Sequence, residues 1–119
     1  MTQEKRKMSE MISEIAANFI SVGKTADEKQ SRLTAACSAW NMACGSPEIR
    51  QRQLEQYVES YLGFNPTTPP GDLANIRKDM ESLIDRKLQM FPDDQRQIVS
   101  AKVVMVGKDY RIEVASANL

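Results

Sequence analysis

The apolar positions of this chain fall into four stretches at helical spacing, followed by one at strand spacing. From about Glu4 to Val22, Met8, Met11, Ile12, Ile15, Phe19, Ile20 and Val22 recur at steps of three and four, the stripe of a helix buried on one face. Glu10, Ser13, Glu14, Asn18 and Ser21 form its polar side, and Gly23 supplies a stop. A second helix is predicted over 26–44. Thr25 and Glu28 are spaced as a capping box at its start, and Leu33, Ala36, Cys37, Trp40, Ala43 and Cys44 make its inner face. Ala35, Ala36, Ala39 and Ala43 keep this helix thin, so neighbours can approach closely. Trp40, the only tryptophan, is the expected centre of the helical core, with Asn41 a polar residue at its edge.

Ser46-Pro47-Glu48 opens a third helix over 47–62, with a serine cap, proline in the first turn and an early acid. Leu54, Tyr57, Val58, Tyr61 and Leu62 form its apolar face, and Gly63 is the expected stop. Phe64 to Gly71 contains three prolines in five residues and reads as a stiff, extended connector. The fourth helix is predicted over 72–90. Leu73, Ile76, Met80, Leu83, Ile84 and Lys87 share a stripe that Phe91 continues; Lys87 is expected to snorkel, and Arg77 to pair with Glu81.

The last stretch, 98–116, alternates as a β-hairpin does. A two-residue loop at Gly107-Lys108, with glycine first as a type II′ turn prefers, sets Val106 opposite Asp109. Met105 then meets Tyr110, Val103 meets Ile112, Ala101 meets Val114, and Lys102 meets Glu113. This register gathers Val99, Ala101, Val103, Met105, Tyr110, Ile112 and Val114 on one face; a one-residue slip would mix the faces. The fold class is therefore α+β, a single domain over 1–119 in which four helices carry a C-terminal antiparallel hairpin.

The hairpin's second face is where contact with a partner is expected. Lys102, Val104, Val106, Arg111 and Glu113 lie there, too polar for a core but with two valines near the turn. With only two strands, both outer edges lack a neighbour unless helices or tails shield them, and uncovered edges accept another chain. The apolar face of the first helix is a second candidate contact.

Composition narrows the function classes. Hydrophobic content of 41% and charged content of 27% suit a globular domain, and the formal net charge is zero with both signs spread along the chain. No apolar run reaches the length of a membrane span, and the residues after Glu4-Lys5-Arg6-Lys7 are spaced amphipathically, not as a signal-peptide core, so a cytoplasmic location is expected. Without histidine, a serine or cysteine catalytic relay and a Cys/His zinc site are excluded within this sequence. Cys37 and Cys44, seven residues apart on one helix, are too distant for a disulfide and read as inert buried thiols. Gly23-Lys24-Thr25 resembles the end of a phosphate loop, but Asn18 stands where that loop needs its first glycine and no strand leads into it.

No catalytic, metal or cofactor residue is assigned. The expected function is a small non-enzymatic interaction or adaptor protein that binds another protein or itself, with a homodimer suspected and no membrane contact. One alternative is a nucleic-acid-associated regulator using Arg50, Arg52, Arg77 and Lys78 on the third and fourth helices. An enzyme with a carboxylate and tyrosine site ranks last.

Overall fold

A computed structural model describes residues 6–117. Its elements are α1 (Met8–Ser21), α2 (Ala26–Ala43), α3 (Pro47–Phe64), α4 (Pro70–Met90), β1 (Gln97–Val106) and β2 (Asp109–Ala117). The α+β architecture is the one the periodicities require. The expected helical residues Glu4 and Lys5 lie outside the described residues.

α2 is the hub, in contact with α1, α3, α4 and β1. Its alanines make that possible: Ala35, Ala36, Ala39 and Ala43 are all buried, so four elements converge on a helix with little side-chain bulk. Trp40 is 0% exposed and fills the space between α2, α4 and the chain entering β1. The capping box forms, with the Glu28 amide donating to Thr25 Oγ1 and the Thr25 amide to the Glu28 carboxylate. Glu28 also accepts from the Lys24 amide, so the phosphate-loop lookalike is a helix stop followed by a helix cap. Gly23 is needed for packing there, because a Cβ at that position would lie 2.9 Å from the Lys29 nitrogen.

The chain between α3 and α4 differs from expectation. It does not stride across a distance but turns at Asn65-Pro66-Thr67-Thr68, where Thr68 N–H and Oγ1–H both donate to the Asn65 carbonyl. Proline after asparagine is favoured at the start of such a turn, and two later prolines launch α4, which begins at Pro70 and not at Asp72. Gly63 lies inside α3 instead of ending it, and Asn65 caps the helix. α3 touches only α2 and α4, so its contact is narrower than its apolar stripe: Leu54 and Val58 are buried, Tyr61 and Leu62 are exposed, and Phe64 is 89% exposed. Val22, placed on the stripe of the first helix, is likewise exposed beyond the end of α1.

The hairpin pairs as expected from Val106↔Asp109 through Ala101↔Val114. Gly107 has φ +64° and, among the described residues, no non-glycine residue has positive φ, the combination a type II′ turn demands. Ala101, Val103, Tyr110, Ile112 and Val114 pack on the core formed by the helices, while Met105, nearer the turn, is exposed. The alternation breaks at Val99. A β-bulge there sets Ile98 opposite Ser116 and Ser100 opposite Ala115, so Ile98 turns inward (8% exposed) and Val99 outward (61%). The inward place expected for Val99 belongs to Ile98.

Candidate interaction surface

The outward face of the hairpin follows from the register. Lys102 stands opposite Glu113 and Val104 opposite Arg111, and the Arg111 guanidinium donates to the Glu113 carboxylate at 3.1 Å along β2. Lys102, Val106, Arg111 and Glu113 are exposed and Val104 is half-buried. The five residues expected to form one surface do lie together on the side of the sheet away from the core. The apolar face of α1, the other candidate contact, is spent on the interior: Met8, Met11, Ile12, Ile15, Ala16 and Ile20 are buried.

The two edges of the sheet are not alike. With Val106 and Asp109 flanking a two-residue turn, the backbone groups of Met105 point away from β2 with no side chain bonded to them among the described residues, and further along so do those of Ile98, Ala101 and Val103. α2 reaches them with two side-chain amides. Asn41 accepts from the Ile98 N–H at 2.8 Å and donates to the Ile98 carbonyl at 3.0 Å. Gln30 accepts from the Val103 N–H at 2.8 Å and donates to the Ala101 carbonyl at 3.0 Å. These amides sit eleven residues apart, about three turns or 16 Å along one side of the helix, which matches the four or five strand residues they span. The helix thus imitates a neighbouring strand, and of the two readings of the edges, shielding by a helix is the one found along this part of β1. On β2 the Tyr110 amide is taken by the Asp109 carboxylate. Among the described residues, no side chain or loop backbone group bonds to the main chain of Ile112 or Val114. A groove runs beside this edge, between Arg111 and Ile112 on one wall and Ser9, Glu10, Ser13 and Glu14 of α1 on the other.

A polar cluster secures the entry to β1. The Trp40 indole N–H donates to the Arg96 carbonyl at 2.8 Å, and the Arg96 guanidinium holds the Asp94 carboxylate. That contact keeps Asp94 below the ordinary aspartate range, so it stays ionised and is no proton donor. Lys87 does not snorkel. It is 0% exposed, donating to the Asp94 carbonyl at 2.6 Å with its ammonium 5.0 Å from the centre of the Trp40 ring. The turn from Phe91 to Asp94 folds back over the end of α4 and supplies a carbonyl where water would otherwise solvate the ammonium. Burial pushes the Cys37 thiol up to about 12 and also raises Cys44, so both thiols are held protonated.

The basic residues of the alternative reading are dispersed in role. Arg50 donates to the carbonyls of Ala43 and Gly45 and closes the end of α2. Arg77 does not pair with Glu81; it bridges helices, binding both carboxylate oxygens of Glu55 on α3. Arg52 and Lys78 remain exposed. The tyrosines of the enzyme alternative, Tyr57 and Tyr61, do share a groove with Asp79, Arg32, Ile76 and Met80. Asp79 is exposed there, on the open side of the groove and not in an apolar enclosure. No cluster of three or more potential metal ligands occurs among the described residues, and none of their helices is long and apolar enough to cross a membrane.

Gln30, Lys87 and Arg96 were missed as structural keystones. A signal for the first existed: Gln30, Thr34, Ser38 and Asn41 form a polar stripe along a helix whose residues from Leu33 onward are mostly buried, and such a stripe needs polar partners. Compared with protein-family models, curated proteins and solved structures, the chain matches none.

Proposed function

We propose that the protein is a small non-enzymatic interaction module of the cytosol that self-associates through the open side of its C-terminal hairpin. The supporting observation is the asymmetry of the two edges. β1 is held at Ile98, Ala101 and Val103 by two dedicated amides, whereas among the described residues no side chain bonds to the Ile112 and Val114 backbone of β2, and Ile112 borders an open groove. Sealing one edge leaves the other as the route by which the sheet grows, and growth by one symmetric contact stops at two copies. The exposed charges of Arg111 and Glu113 flank that edge and supply selectivity, as rim charges do. Two free, protonated thiols suit a reducing compartment.

Light scattering at micromolar concentration tests the reading. A mass of twice the chain that falls on dilution is expected. A single-chain mass at every concentration would remove self-association as the function.

A further inference from the structure

β2 carries its own complement. Its outward face presents Arg111 and Glu113 two residues apart, with Ile112 between them. The backbone groups that point away from β1 belong to Tyr110, Ile112 and Val114, the residues that alternate with those bonded to β1; those of Ile112 and Val114 are free, and the Tyr110 N–H must exchange the Asp109 carboxylate for the incoming strand. We infer that two copies join β2 to β2 in antiparallel fashion with Ile112 on the two-fold axis, making one four-stranded sheet in the order β1-β2-β2-β1. This rests on the self-association proposed above and names its partner, a second copy, and its register.

Parity and charge together select that register. An antiparallel pair bonds only where outward-pointing residues face each other, so a one-residue slide brings an outward residue against an inward one and loses the ladder. A two-residue slide keeps the parity but fails on charge. Centred on Arg111, it places Arg111 against Arg111 and Asp109 against Glu113; centred on Glu113, it places Glu113 against Glu113. Like charges directly opposite oppose pairing. Centred on Ile112, Arg111 faces Glu113 of the other copy and Glu113 faces its Arg111. Tyr110 then meets Val114 twice and Ile112 meets itself. Longer slides either shorten the overlap, because β2 starts at Asp109, or part the arginine from the glutamate. The opposite wall of the groove carries Ser9, Glu10, Ser13 and Glu14 of α1 together with Arg6, so the incoming strand meets a polar wall in which the two serines are the short side chains.

The test exploits the symmetry of the charge pattern. Arg111 and Glu113 are exposed, so Arg111→Glu and Glu113→Arg should keep the native circular dichroism spectrum. Each variant alone turns two attractive pairs into two repulsive ones, and its dimer dissociation constant should rise about tenfold or more. Mixed together, the two variants present two glutamates to two arginines and should form a mixed dimer as tight as the wild type. The double variant, with the charges exchanged within one chain, should also recover. A dimer indifferent to the single changes, or singles that weaken it without recovery on mixing, would overturn the register while leaving self-association standing. A chain monomeric at all concentrations would remove both.

Discussion

Trp40→Ala is expected to remove about 4 kcal/mol of folding stability, the largest effect of any single substitution in this chain. Three losses coincide at that site. The indole is wholly buried among α2, α4 and the approach to β1, with the Phe91 ring 5.9 Å away, so truncation opens a cavity its tightly packed surroundings cannot collapse. The Arg96 carbonyl loses its indole donor, and an unmade buried hydrogen bond costs more than a made one contributes. The Lys87 ammonium, which lies over the ring, is left facing an empty apolar space. A domain of this size typically holds about 5–15 kcal/mol in all, so the variant should remain folded in water at room temperature with its stability margin sharply reduced. Urea unfolding followed by far-ultraviolet circular dichroism measures it, since the substitution removes the only tryptophan fluorophore. Phe64→Ala is the control: its ring is almost fully exposed, and its midpoint should move by less than about 0.5 kcal/mol equivalent.

Replacing both Gln30 and Asn41 by alanine should cost roughly 3 kcal/mol, with about half lost in each single variant. Four hydrogen bonds to the sheet disappear, and the main-chain groups of buried Ile98 and half-buried Ala101 and Val103 are left with their helical partner gone. The two amides lie far enough apart that their effects should add within about 0.5 kcal/mol unless the hairpin docks as one cooperative unit. Denaturant midpoints of the two singles and the double decide between these. The same double variant has a second expected consequence. Freeing β1 gives each chain two open edges, so a closed dimer becomes an open-ended series, and light scattering should report larger particles. Stability and oligomer size thus respond to the same two side chains.

Much of this architecture is legible in the residues before any coordinates. The capping box at Thr25, the serine-proline start of α3 and the register from Val106↔Asp109 to Ala101↔Val114 are local, each set by residues within a few positions or by strict alternation. What is hidden depends on partners distant in the chain. Val99 continues the alternation perfectly, and only the need to present Ile98 to Asn41 and the core puts a bulge there. Lys87 reads as a surface-seeking residue until the Phe91–Asp94 turn closes over it. Arg77 has an acid at helical spacing in Glu81, yet α3 brings Glu55 closer. The candidate surface shows the same split. Lys102, Val104, Val106, Arg111 and Glu113 share a face by parity alone, whereas which edge beside them stays open is decided by Gln30 and Asn41, some sixty to seventy residues away.

Amide hydrogen exchange, resolved residue by residue, reads the asymmetry of the two edges directly. In the Arg111→Glu variant kept dilute, the Ile98 and Val103 amides should be strongly protected while those of Ile112 and Val114 exchange freely. In the wild type at high concentration, the latter two should slow markedly and the former two stay unchanged. Equal protection of all four amides at every concentration would contradict a ribbon sealed along one margin and open along the other.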